Sequence, residues 1–286
     1  MPKAKHPFFR AVWWSCNLLL AVSLFALGYA GIREFSVRRY LDGYSDAIVP
    51  NFLPAERKVQ AILDWMRDEP SRGIADNPAT LPTRDPETTL NYAQLLKVCG
   101  TATNAFLNLA RSSDLQVRRL LLLSPDRTAK HVVAEVSINQ RWVIVDPTYR
   151  TIMRDAQGRL LTRRELREPA ILSQAASKIP GYPAEYTYEN VAHVRMGRLP
   201  VMGPFLKRVF DFIYPGWEEA MDWSLLLERE TFFYLVVASS AFLFLLVFRQ
   251  ILGWYADSML RIPRFHFREN IVRAGAAFFS TPEIKE

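Results

Sequence analysis

"HVVAEVSINQRWVIVDPTYR", residues 131–150, holds two runs of β-branched and aromatic residues separated by Asn139-Gln140. Runs of this composition around two turn-forming residues predict a β-hairpin. With Asn139 and Gln140 as the turn, paired residue numbers sum to 279, and Asp146 faces Val133. His131 is then diagonal to Asp146 on the same face, roughly 7–8 Å away between backbones and within side-chain reach. Glu135, Trp142 and Ile144 share that face, while Val132, Ala134, Val136, Ile138, Val143 and Val145 form the other. A three-residue turn would send Asp146 to the opposite face, so the pairing of His131 with Asp146 depends on the turn.

Upstream, "LLKVCGTATNAFLNLAR" (95–111) places Cys99 at the front of a helix whose Ala102, Ala105, Phe106, Leu109 and Ala110 fall on one side. "LQVRRLLLL" (115–123) predicts a strand. Further back, "NFLPAERKVQAILDWMRDE" (51–69) has Val59, Ile62, Leu63 and Met66 at helical spacing after Pro54, and 70–88 is a Pro-, Gly- and Asp-rich surface loop. Helices leading into an antiparallel sheet make an α+β domain. Downstream, "DAQGRLLTRRELREP" (155–169) suggests a turn and a short helix capped by Thr162 with Glu165, or a plain surface excursion.

Two apolar runs flank this region. Ala11–Ile32 is 22 residues without a charge, and Thr231–Phe248 is 18, lengths that suit spanning helices. The first exceeds the usual h-region of a cleaved signal, which favours an uncleaved anchor over cleavage after Gly28-Tyr29-Ala30. Arg249, Arg261, Arg264 and Arg268 follow the second run, whereas 212–230 holds only Arg229. The positive-inside rule therefore puts the C-terminus in the cytoplasm, and two spans put the N-terminus there too. The expected organisation is a cytoplasmic 1–10, a span over 11–32, an extracytoplasmic domain over 33–196, an aromatic-rich juxtamembrane segment over 197–230, a span over 231–252 and a basic tail over 253–286. Of the net +7, only +2 lies in residues 33–230 and +5 in the tails, a distribution suited to anionic lipid and not to a nucleic-acid groove.

Cysteine use narrows the chemistry. Cys16 lies inside the first apolar run, so Cys99 has no disulfide partner in the polar domain. Its alternatives are an inert core thiol or a nucleophile. His6 and His266 fall in the cytoplasmic tails, leaving His131 and His193 to meet it. A helix N-terminus and a neighbouring imidazolium lower a thiol pKa, imidazole carries the proton, and a carboxylate fixes its tautomer. One cysteine and two widely spaced histidines make a poor metal set, and no cofactor is expected.

In order, "VCGTATNAFLNLAR", "QVRRLLLL", "HVVAEV" and "RWVIVDPTYR" resemble the transglutaminase-like superfamily, with its papain-like cysteine-enzyme fold, over about 52–150. The resemblance implies Cys99 as nucleophile, His131 as base and Asp146 as orienting carboxylate. An oxyanion site would use the Cys99 backbone N–H, with Gln94, Tyr92 and Asn91 as side-chain candidates. The chain departs from the family pattern at Val98, at Val132-Val133, and at Asp114, where a glycine is expected after the helix. It further implies a bacterial inner-membrane thiol enzyme, periplasmic in its active domain, that hydrolyses or, less readily, transfers an amide bond in an envelope protein or cell-wall peptide. The alternative is a non-catalytic envelope scaffold that keeps the fold to bind a partner, such as one in surface-polysaccharide assembly.

Overall fold

Asn139 and Gln140 both take positive φ, 51° and 63°, in the computed structural model of the protein. Two left-handed residues in succession form the hairpin turn whose twist matches that of its strands. Strands β2 (Ala129–Ile138) and β3 (Arg141–Asp146) accordingly pair Ile138 with Arg141, Ser137 with Trp142 and Ala134 with Val145, the register whose numbers sum to 279. The structure describes residues 6–68, 90, 99–193, 203–215, 217, 224–261, 272 and 276.

The hairpin is the centre of a five-stranded antiparallel sheet in the order β4-β3-β2-β1-β5, completed by β1 (Val117–Leu123), β4 (Thr151–Ile152) and β5 (Asn190–Ala192). Between β1 and β2 the register slips: Leu122 pairs with His131, but Leu123 pairs with Ala129. Lys130 is the extra residue of this bulge, which re-aims the strand next to His131.

One sheet face carries the helices. Helix α1 (Pro7–Ile48) brings Val37 and Leu41, α2 (Ala55–Asp68) brings Val59, Ile62, Leu63 and Met66, and α3 (Cys99–Ser112) brings Ala105, Phe106 and Leu109. They close over Ala134, Val136, Ile138, Val143 and Val145, the set that period-two alternation assigns to one face. Helix α3 is buried on every side from Thr101 to Ala110, so its apolar stripe understates its burial. Its polar residues survive there because they are bonded: Thr103 Oγ1 donates to Val132 O (2.9 Å) and Asn108 Nδ2 to Asn104 O (3.0 Å). The helix ends in a Schellman motif, with Leu115 N–H on Ala110 O (3.0 Å) and Asp114 N–H on Arg111 O (3.1 Å). Asp114 sits at φ 61°, the left-handed conformation for which glycine is the usual residue and aspartate a tolerated one.

The other face is covered by residues 153–191, which therefore form a second core and not a surface excursion. Met153, Leu161, Leu166, Ala175, Tyr188 and Val191 are buried against Leu120, Leu122, Val133 and Ile144. Within this segment lies α4 (Arg163–Leu166), which has the capping box expected of Thr162 and Glu165, followed by α5 (Pro169–Ala176). The alternation of the hairpin left a face rich in Val133 and Ile144, and that face needed a cover.

Helix α6 (Gly203–Ile213) exposes Phe212 and Ile213, and Trp217 beyond it is buried with its Nε1–H on Asp211 (3.0 Å). Helices α7 (Ser224–Glu228) and α8 (Glu230–Ser258) follow. A buried ionic network joins α3 to the two helices that continue out of the domain. Arg229 Nη1 bonds Glu34 Oε1 at 2.7 Å, Thr231 Oγ1 donates to Glu34 Oε2 at 2.6 Å, and Arg229 Nε reaches Asn108 Oδ1 at 3.3 Å. Beside it Arg111 pairs with Glu228 at 3.4 Å.

The chain divides into a compact unit over Tyr29–Val236 and a second made of Met1–Gly28 with Val237–Glu286. In the second, Asn17 Oδ1 accepts from Arg249 Nε (2.9 Å), Arg249 stacks over Trp13, and Cys16 is buried. Helices α1 and α8 are the two long and apolar enough to cross a membrane among the described residues. Their outer faces show Leu18, Val22 and Phe25 on one and Leu243, Phe244 and Val247 on the other.

Candidate active site

Cys99 is the first residue of α3, where backbone N–H groups lack intrahelical partners and the helix dipole favours negative charge. The helix is fixed to the sheet near this end by the Thr103 bond to the Val132 carbonyl. The thiol is half-buried and rests against Leu121, Leu123, Val132 and Ala192. It is therefore neither an isolated surface cysteine nor a sealed core residue.

His131 is held at the start of β2, one residue beyond the bulge. Its Nε2 lies 2.7 Å from Asp146 Oδ2, with both side chains essentially inaccessible to water. The other carboxylate oxygen, Oδ1, accepts the backbone N–H groups of Thr148 (3.1 Å) and Tyr149 (3.4 Å). An ionised carboxylate only accepts, so this arrangement places a proton on Nε2. The remaining nitrogen, Nδ1, is buried without a partner of good hydrogen-bond geometry, and Cys99 is the group that couples to the ring.

The electrostatics of the pair are reciprocal. Burial pulls the His131 pKa down, but the Asp146 hydrogen bond and the adjacent Cys99 outweigh it and raise the value from 6.5 to about 9. Burial pushes the Cys99 thiol up, and the neighbouring His131, by hydrogen bond and positive charge, brings it below its ordinary value. Proton transfer from sulfur to imidazole is thus favoured over the neutral pair.

Three tyrosines surround the imidazole. Tyr186 stacks flat on it, centroids 4.2 Å apart and planes 4° from parallel, and Tyr149 meets its edge at 6.1 Å. Tyr182 packs against both tyrosines, at 4.9 and 5.6 Å. None of the three was flagged by sequence reasoning. Tyr149 stands in the Asp-Pro-Thr-Tyr run and was within reach of it, but "GYPAEYTYE" (181–189) has no periodicity that points at His131.

Residues 43–147 match the family model for the transglutaminase-like superfamily. This segment is a transglutaminase-like domain. Comparison with curated proteins and with solved structures finds no match. The superfamily consists for the most part of papain-like cysteine enzymes. The match runs from the end of α1 through β3 and stops one residue past Asp146, so it takes in Cys99, His131 and Asp146 and leaves out Tyr149, Tyr182 and Tyr186.

The second histidine of the 33–196 region, beyond the matched segment, stands apart from this site. His193 is fully buried, its Nδ1 is 2.6 Å from Arg119 O, and its Nε2 is 3.7 Å from Glu135, which itself pairs with Arg118 at 2.6 Å. Burial lowers its pKa, so it is held neutral, donating Nδ1–H to the carbonyl. The expected oxyanion residues Gln94, Tyr92 and Asn91 lie outside the described residues, as do the 70–88 loop and most of the basic tail. Among the described residues no three His, Cys, Asp or Glu side chains stand close enough to share a metal ion.

Proposed function

We propose that the protein is a membrane-anchored thiol enzyme that hydrolyses an amide bond in an envelope protein or cell-wall peptide, with its active domain outside the cytoplasm of a bacterial cell. One observation carries this reading: Asp146 occupies Nε2 of His131 and leaves Nδ1 of the same buried ring without a partner, with Cys99 beside the ring. The Cys99 thiolate adds to the substrate carbonyl carbon, and imidazolium Nδ1–H delivers its proton to the departing nitrogen as the C–N bond breaks. The resulting thioester is attacked by water, whose proton passes to the now neutral imidazole, and the thiolate leaves with the acid product. The Cys99 backbone N–H, which has no intrahelical acceptor at the first helical position, supports the oxyanion. Hydrolysis is favoured over transamidation because nothing among the described residues marks an amine site.

The positive charge of the C-terminal side supports both termini lying in the cytoplasm. An impermeant amine reagent applied outside intact cells should label residues 33–230 and spare Lys3 and Lys5. The decisive test of the chemistry is substrate trapping in native membranes. The Cys99→Ala protein should retain an envelope peptide or protein that the wild type releases cleaved. Cys99 that alkylates only at the pH of an ordinary thiol, with no trapped material, would refute the enzyme and leave a binding scaffold.

A further inference from the structure

We infer that Tyr186 is a positioning residue for His131, clamping its ring in the one orientation that serves both Asp146 and Cys99; the inference rests on the thiol-enzyme reading above. An imidazole bonded at one nitrogen can still swing about its side-chain torsions, and a bond to Asp146 alone does not aim Nδ1. The flat stack at 4.2 Å and 4° supplies the missing constraint, because rotation of the ring would drive its edge into the tyrosine face. Tyr149, at the ring edge, limits sliding in the plane.

Tyr186 can act in this way only if its own backbone is held, and it is held at several points. The Tyr149 hydroxyl donates to Gly181 O at 3.4 Å, and Tyr186 N–H donates to Pro183 O at 3.2 Å in a tight turn. Tyr188, two residues on, is fully buried, with its hydroxyl 3.3 Å from that of Tyr182. Glu185 reaches Lys130, the bulge residue beside His131, at 3.9 Å. The charged and titratable groups facing His131 are thus Asp146 from β3, Cys99 from α3, Tyr186 above the ring and Tyr149 at its edge, with the Lys130–Glu185 pair next to them. The clamp comes from the segment that covers the second sheet face, outside the matched 43–147 region. The core fold supplies the reacting groups, and an addition to it supplies their alignment.

The test uses the full chain in detergent with Cys16 replaced by Ser, so that Cys99 is the only thiol. The rate of iodoacetamide alkylation is followed against pH for the parent, Tyr186→Phe and Tyr186→Leu. Tyr186→Phe keeps the stacked ring and should keep the parent profile. Tyr186→Leu frees the imidazole, and its profile should move up by about one pH unit or more, toward an ordinary thiol. A Tyr186→Leu profile that superposes on the parent's, or a Phe variant as shifted as Leu, would overturn the clamp. If the Leu variant does not fold, the parent decides by itself. With isotope-labelled histidine, His131 ring protons should be displaced upfield by the tyrosine ring current, and their absence from that region would overturn the inference. A parent that alkylates only as an ordinary thiol overturns the enzyme reading, and the ring-current signal then still reports separately on the stack.

Discussion

Replacing Asp146 by Asn tests the site at its least redundant point. Asp146 Oδ1 accepts two backbone N–H groups, so the introduced asparagine would turn its own oxygen toward Thr148 and Tyr149 to keep them satisfied. Its NH2 would then face His131 Nε2, which must become an acceptor, and the ring proton moves to Nδ1, the side of the thiol. A protonated Nδ1 on a neutral ring cannot take the proton of Cys99. Holding the wrong tautomer in such triads costs about 10⁴ in turnover, or about 5.5 kcal/mol of barrier. The His131 pKa, now without its carboxylate, should fall from about 9, and the thiol should return toward its ordinary value of 9.0. Stability should drop by only about 1–3 kcal/mol, the cost of one poorly matched buried polar contact. The assay is iodoacetamide alkylation against pH, with a denaturation curve on the same sample to show the fold intact. An Asp146→Asn protein that still alkylates rapidly at pH 5–6 would refute the whole chain of reasoning from register to tautomer.

The pH dependence of stability follows from two opposed titrations. His131, with its pKa raised from 6.5 to about 9, contributes stability complete below about pH 6.5 and lost as pH rises through about 9. Cys99, with its pKa lowered, contributes stability present above the ordinary thiol value of 9.0 and lost as pH falls through its folded value. The two have opposite signs, so the wild type should depend less steeply on pH than Cys99→Ala, which should lose stability as pH rises from 6.5 toward the folded His131 value; a gain would contradict the assignment. Arg229→Met should cost about 3–5 kcal/mol in a denaturant titration by leaving the buried Glu34 carboxylate with only the Thr231 hydroxyl and the more distant Arg38, and Glu34→Leu in the same chain should restore most of it. No recovery in the double variant would show that Arg229 acts elsewhere. His193→Ala should lower the melting temperature, because a fully buried ring is lost, while the alkylation profile of Cys99 stays put; a shifted profile would make His193 part of the site.

The hairpin was legible because Asn139 and Gln140 suit a two-residue turn between two β-rich runs, and that turn sets the register that brings His131 near Asp146. The helix of Cys99 was legible in place but not in burial. Thr103 and Asn108 lie off its apolar stripe, yet Thr103 donates to a strand carbonyl, and Asn108 donates to a helical carbonyl and accepts from Arg229, 121 residues away. The cover over the second sheet face was misjudged for the same reason. Tyr188 and Leu166 have no local pattern that announces burial, and what buries them is the hydrophobic back of a hairpin earlier in the chain. Local periodicity reports the residues a strand or helix turns toward its neighbours. It is silent about tyrosines brought to a histidine by a loop.

The Glu34–Arg229 pair has a consequence for how the protein is made. Synthesis delivers Glu34 first, and its partner arrives 195 residues later, immediately ahead of α8. Until then Glu34 has only Arg38 beside it, 4.0 Å away on the same helix, and Asn108 lacks the guanidinium that meets its side-chain oxygen. A chain cut short before Arg229 would hold Cys99, His131 and Asp146 but lack the ion pairs that Arg229 and Glu228 make beside α3. The buried network around Glu34 is thus completed only by residues that stand directly before or at the start of the second apolar helix.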